Sequence, residues 1–274
     1  MILSVKELRE IAKTIRINVV NALLNAGSGH LGGSLGLTDI FTALYFHELK
    51  YDPKNPKWEQ RDRFVLSIGH VAPVLYATLA QAGYFSTSEL SSLRKLGSML
   101  QGHPAISHNV PGLETTAGSL GQGLSIAVGM ALAAKHQKAG HRIFSILGDG
   151  ELQEGSVWEA AMAAGHYKLD NLRVIVDRNR VQIDGSTEDV MGVEPLVDKW
   201  KAFNWNVLEC NGNDMSDILK ILNEARELEG KPVVIIAHTK MGAGVPEIEG
   251  DYKWHGKAPN KEQANSFIKQ IKGV

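Results

Sequence analysis

A chain of 274 residues that is 43% apolar and 22% charged can bury a sizeable core in one large α/β domain, residues 1–274, with no second full domain required. Its formal net charge of -1 gives no basic field for nucleic acid or for an anionic membrane, so any ligand has to be held by local groups. No apolar run reaches the roughly 18 residues of a membrane span, the amino end alternates charged and apolar residues without a signal-peptide core, and the expectation is a cytoplasmic chain.

Val5, Leu8, Ile11, Ile15, Val19 and Leu23 mark one face of a first helix that closes near Gly27. The stretch Gly27-Ser28-Gly29-His30-Leu31-Gly32 then matches the dinucleotide fingerprint G-x-G-x-x-G, with Glu48 roughly where a ribose-binding acid would sit. Context rejects that reading, because the fingerprint needs a strand before its glycines and the segment here has helical period. A helix near Leu37 to Phe46 is followed by a strand, Arg63 to Ile68, that delivers Gly69-His70. Ser86 before Glu89 predicts a capping box, and Gln101 to Pro104 places His103 on a loop. Gly118-Ser119-Leu120-Gly121-Gln122-Gly123 opens a helix running to about Lys138 with Gly129 inside it. Each helical glycine forfeits roughly 1 kcal/mol against alanine, so this group implies close approach by another backbone or a ligand.

The densest chemistry lies between Arg142 and Gly185. Arg142 to Leu147 reads as a buried strand, Gly148-Asp149-Gly150 as a turn with a carboxylate at the strand's end, Glu154 to His166 as a helix, and Leu172 to Val176 as a second buried strand ending in Asp177-Arg178-Asn179. A right-handed crossover brings both strand ends to one side of a sheet, so that Asp149 and Asn179 converge. One carboxylate, one amide oxygen and a backbone carbonyl such as that of Val181 make an incomplete octahedral shell for a hard cation, which phosphate oxygens and water usually complete. Taken singly, each motif is also ordinary turn chemistry. Beyond a turn at Ile183 to Gly185, helices over 195–203 and 214–228 alternate with strands over 206–210 and 232–237, giving a doubly wound, mostly parallel sheet with helices on both faces. The single cysteine, Cys210, sits in one of these strands as a packing residue and excludes an internal disulfide. Thr239 to Pro259 is a long loop carrying His255-Gly256, and Lys261 to Lys272 a surface helix.

Gly148-Asp149-Gly150 followed by Glu154, Glu159 and Asn179 resembles the signature of thiamine-diphosphate enzymes, and LGDGELQEGSVWEAAMAAGHYKLDNL resembles the cofactor-binding domain of transketolases, with similarity from Gly27 to about Gly256. The resemblance implies that Mg²⁺ (or Ca²⁺) on Asp149, Asn179 and the Val181 carbonyl anchors the diphosphate of the cofactor. It further implies cofactor contacts from His70, Gly118, Ser119, Leu120, Gly150 and His255, and a link between cofactor sites through Glu154 and Glu159. His30, His103 and His255 would face the substrate as the catalytic histidines; four histidines in matching contexts imply one polar pocket suited to sugar hydroxyls. Leu31 and Ser119 stand where the family commonly has proline.

The implied activity is transfer of a two-carbon ketol group between sugar phosphates of the pentose phosphate type. In the family, the glutamate that activates the cofactor and the clamp on the substrate phosphate belong to a second domain. The expectation is therefore a split enzyme: this chain as the amino-terminal subunit, self-associating through the helix after Gly121, with a C-terminal transketolase subunit on a separate chain completing a heterotetramer. Alternatives are a transketolase relative with an unusual sugar, a two-subunit dehydrogenase component acting on 2-oxo acids, and a non-catalytic cofactor-binding module.

Overall fold

The computed structural model describes residues 3–274. The chain opens with α1 (Val5–Ala26), whose first turn carries a capping box between Ser4 and Glu7 and whose end is closed by Gly27 in the left-handed region. Two short helices, α2 (Leu31–Gly36) and α3 (Thr38–Ala43), lead to β1 (Arg63–Leu66) and α4 (Ala72–Gln81). Next come α5 (Gln122–His136), β2 (Ile143–Gly148), α6 (Gly155–His166) and β3 (Leu172–Arg178). A small antiparallel hairpin, β4 (Val181–Gln182) with β5 (Gly185–Ser186), precedes α7 (Thr187–Met191) and α8 (Leu196–Ala202). The alternation closes with β6 (Asn206–Asn211), α9 (Met215–Glu227), β7 (Val233–His238) and α10 (Lys261–Lys272).

The main sheet is entirely parallel, in the order β1-β2-β3-β7-β6. Side chains alternate faces along each strand, so the central strands feed two cores. Phe144, Ile146, Ile175, Val233 and Ile235 join α1, α3, α4 and α9 on one side. Ile143, Leu147, Val174, Val176, Val234 and Ile236 join α5, α6 and α8 on the other. With both faces covered, the strands read as continuous apolar runs, which is why the sequence exposes them clearly. The registers pair Gly148 with Asp177 and Arg178 with His238, so the carboxyl ends of β2, β3 and β7 finish level.

Several local expectations need correction. The glycines after His30 lie in a helix rather than in a loop. A Cβ at Gly32 would stand 2.5 Å from the Met241 Cγ, so α2 packs its bare backbone onto the long 239–259 loop, and a pairing that remote leaves no periodic signal. The predicted helix over 37–46 stops at Ala43 and continues as a π turn, Leu44–Glu48. The predicted capping box at Ser86 is not made: its hydroxyl accepts from the Ser88 N–H, and Thr87–Ser92 winds as a 3₁₀ turn. Finally, α5 begins at Gln122 and ends at His136, four residues later and two earlier than predicted, because Gly118 and Gly121 take positive φ.

The tightest glycine in the molecule is Gly165, where an added Cβ would lie 1.9 Å from the Phe203 carbonyl oxygen. Gly165→Ala is expected to cost about 1–3 kcal/mol by overpacking, read as a lower urea midpoint with an unchanged slope.

Candidate active site

Beyond the carboxyl ends of β1, β2 and β3 lies a cavity of about 210 Å³. Its walls include Asp149, Gly150, Glu154, Asn179, Val181, His70, Leu120 and His255, so the turn after β2, the hairpin after β3 and two of the four histidines meet there. This is where ligands bind in open parallel sheets, outside the strand ends.

Asp149 is buried, with 2% of its surface exposed. Its Oδ2 accepts from Arg178 Nη1 at 2.9 Å and from the Arg180 N–H at 2.7 Å, and Oδ1 accepts from the Gly150 N–H at 2.8 Å. Burial raises its carboxyl above the ordinary range, while the bonds to Arg178 and Arg180 oppose that rise. Asn179 donates through Nδ2 to Asp177 Oδ2 at 2.8 Å, and its Oδ1 accepts from the Val181 N–H at 3.0 Å. The bond to Asp177 turns the amide nitrogen inward and the Asn179 oxygen the other way, where it has a further lone pair beyond the Val181 N–H. Asp177 is held in turn by the Thr239 hydroxyl, and burial pushes its carboxyl up to about 7. Asp149, Asn179 and Val181 line one cavity and present oxygen donors of the kind a hard cation takes. Among the described residues there is no cluster of three or more His, Cys, Asp or Glu side chains that would hold a metal by themselves.

The histidines form one cluster. Ring centroids of His30 and His70 are 4.9 Å apart, His30 and His255 5.6 Å, His70 and His255 5.2 Å, and His30 and His103 6.4 Å. Burial, aided by the other rings, lowers His30 to about 4 and His70 to about 3; burial also lowers His103 and His255. At neutral pH each is an uncharged imidazole with one donor and one acceptor nitrogen. Nδ1 of His30 and Nδ1 of His255 are buried and bond to nothing in the protein. Such orphaned nitrogens are rare in a finished interior and suit a ligand with hydroxyl groups.

Other predicted site residues fall elsewhere. Gly118 and Ser119 line a separate recess with Ser67, Thr116 and Gln122, while only Leu120 of that loop reaches the cavity. Glu159 does not line the cavity; it lies on the exposed side of α6. Three residues carry no clear signal in the sequence. Arg178 is fully buried and holds Asp149, Glu188 and Glu194 together. Arg94 brings a positive charge near His30 and His103, with no sequence cue beyond its own identity. Glu151 is a buried carboxylate in the wall of the cavity, and an acid one residue past a strand-end glycine turn is the cue available. A larger cleft, about 790 Å³, lies beyond the ends of β3, β6 and β7, but its cations are largely matched within the chain, Arg16 by Asp39, Arg9 by Asp214 and Lys240 by Glu249.

Residues 8–274 match the family model described as "Transketolase, thiamine diphosphate binding domain". The chain is 46% identical over 256 residues to an apulose-4-phosphate transketolase subunit of Phocaeicola vulgatus, covering 93% of this chain and 90% of that one. It is 42% identical to the 6-deoxy-6-sulfo-D-fructose transketolase subunit SqwG of a Clostridium species, covering 97% and 96%. Against the full-length transketolase of Campylobacter jejuni the structure superposes with a TM-score of 0.93 at 38% identity, covering 98% of this chain and 43% of that chain.

The depressed histidines have a consequence for stability. Above pH 7 both folded and unfolded chains hold them neutral; as pH falls below about 6.5, the unfolded chain takes up protons that folded His30 and His70 refuse until about 4 and about 3, so their contribution turns against folding. Urea unfolding of His70→Gln, relative to its own value at pH 7.5, is expected to lose less stability than wild type on going to pH 4.5. Parallel loss in both proteins would show that His70 is not held neutral.

Proposed function

We propose that this chain, which belongs to the transketolase family as its thiamine diphosphate binding domain, is the amino-terminal subunit of a split transketolase that moves a two-carbon ketol group from a ketose phosphate to an aldose phosphate. The observation that carries this reading is a cluster of four neutral histidines, two of which, His70 and His255, line the same cavity as Asp149, Asn179 and Val181. Oxygen donors alone would suit any diphosphate; a ring of uncharged imidazoles beside them suits a polyol whose hydroxyl protons must be held and moved. That pairing disfavours both a 2-oxo acid dehydrogenase component and a module without turnover.

In this reading Asp149, Asn179 and the Val181 carbonyl hold Mg²⁺ or Ca²⁺ against the diphosphate, with Gly150 close to it. His70, Leu120 and His255 contact the cofactor within the cavity, Gly118 and Ser119 would do so only from their separate recess, and Glu154 and Glu159 face the second cofactor site of a dimer. Bound thiamine diphosphate supplies the carbon nucleophile and the electron sink for carbon–carbon cleavage. The protein's own part is to dry the cavity, orient the sugar and handle protons. Nδ1 of His30 and Nδ1 of His255 accept from or donate to sugar hydroxyls, and His103, the least enclosed of the cluster, exchanges protons with the sugar at the cavity mouth.

The chain spans 43% of the Campylobacter jejuni transketolase, and two of its relatives carry the word "subunit" in their names, which supports a separate C-terminal partner bearing the remaining domains. Self-association of this chain, giving a heterotetramer with that partner, is supported by Gly129: among the described residues nothing outside its own helix backbone lies within 4 Å of a Cβ built there, so their packing gives no reason for a glycine in the middle of α5. Ile126 and Met162, on α5 and α6, are exposed large apolar residues. A second substrate reading, a ketose outside the pentose phosphate set, is favoured by the relatives named for apulose 4-phosphate and 6-deoxy-6-sulfo-D-fructose.

Mixing the chain with its C-terminal partner, thiamine diphosphate and Mg²⁺ is expected to give ketol transfer that neither protein gives by itself, assayed with xylulose 5-phosphate and with the two named sugars as donors. His103→Ala and His255→Ala should each lower kcat on the order of 10²-fold. Undiminished turnover in both variants would refute the proton-handling role. For Gly129→Ala, a dimer that weakens in sedimentation while the chain itself becomes more resistant to urea would support the self-association face; an unchanged dimer would exclude it.

A further inference from the structure

Glu151 sits in the 3₁₀ turn Gly150–Gln153 between β2 and α6, with 2% of its surface exposed. No lysine, arginine or histidine pairs with it among the described residues. Its carboxylate instead accepts three uncharged donors: Oε1 takes the Ser67 hydroxyl and the Gly121 N–H at 2.7 Å, and Oε2 takes the Gly148 N–H at 3.3 Å. Those donors come from three separate segments. Ser67 follows β1 and precedes His70 by three residues; Gly121 follows Leu120 at the start of α5; Gly148 ends β2 and precedes Asp149. Each segment thus carries one wall of the cavity, and Glu151 is bonded to all three.

The fit around it is closed. A Cβ at Gly123 would lie 2.5 Å from the Ser67 Oγ, and one at Gly121 would lie 2.6 Å from the Ser156 Oγ. Helix α5 begins without a side-chain cap of its own, and an anion at a helix start is favoured by the backbone dipole. A carboxylate is the side chain for the task, since it only accepts: glutamine would turn an NH₂ group toward at least one of the three donors, and alanine would strand all three without water.

We infer that Glu151 is a positioning residue that sets the separation of the His70, Leu120 and Asp149 walls and thereby the affinity of the cavity for the diphosphate end of the cofactor. This rests on the proposed function, because it presumes that the cavity takes thiamine diphosphate.

The test is a calorimetric titration of thiamine diphosphate, at saturating Mg²⁺ and without sugar, into the chain joined to its C-terminal partner. Wild type, Glu151→Gln, Ser67→Ala, the double variant and Glu48→Gln are compared, the last being a buried carboxylate remote from the cavity that pairs with Arg142 and Arg226. The expected result is a dissociation constant raised about tenfold in Glu151→Gln and about threefold in Ser67→Ala, with the double variant no weaker than Glu151→Gln. Glu48→Gln should lower the urea midpoint without changing cofactor affinity. Binding by wild type with unchanged affinity in Glu151→Gln overturns the role of Glu151 and leaves the proposed function standing; no binding by wild type overturns both. If Glu151→Gln does not fold, unchanged affinity in Ser67→Ala overturns the inference by itself.

Discussion

A single buried ion pair governs this site. Arg178 has no exposed surface and lies 2.9 Å from Asp149, whose carboxylate also receives the Arg180 and Gly150 N–H groups. Two desolvated charges are costly to bury, and removing one partner of such a pair costs about 3–5 kcal/mol because the other is left uncompensated. The guanidinium therefore ties the end of β2 to the end of β3 and, through Glu188 and Glu194, to the segment after the hairpin. Asp149 consequently has two allegiances, one to the arginine behind it and one to the cavity in front. Burial raises the Asp149 carboxyl above its ordinary range, and the bond and charge of the arginine oppose that rise.

Burial acts on the histidines as well. It makes charge on these imidazoles unwelcome, and for His30 and His70 the neighbouring rings add to it, so the cluster is uncharged where free histidine would begin to titrate. Neutral rings each offer a donor and an acceptor, and the Nδ1 atoms of His30 and His255 are buried with no partner in the protein. Asp149, Asp177 and Glu151 share the cavity wall with His70 and His255, while the ring of His30 packs against those two rings and His103 lies beside His30.

Much of this is legible in the residues, for identifiable reasons. Strands buried on both faces are continuous apolar runs, so β2, β3 and β7 and their alternation with helices stand out. Once the strands are placed, topology alone brings Asp149 and Asn179 to one edge, which the cavity bears out as geometry. What stays hidden depends on contacts between distant segments. The helix through Gly32 exists because Met241 lies against it, and the loop containing Gly118 and Ser119 turns away while Leu120 turns in. Arg178 and Glu151 are inconspicuous because a charged residue is ordinarily a surface residue, and only the surrounding walls reveal one as an anchor.

The proposed role of Asp149 and Asn179 is to hold a cation that in turn holds thiamine diphosphate. The most direct measurement is the magnesium requirement of cofactor binding, followed by calorimetry on the reconstituted complex for wild type and Asn179→Ala, which keeps the Asp149–Arg178 pair intact. Wild type is expected to show Mg²⁺-dependent binding that is weakened by about 10- to 100-fold in Asn179→Ala, in the range expected when a metal site loses a ligand or its support. Equal binding with and without Mg²⁺, or equal binding by the variant, would contradict that role.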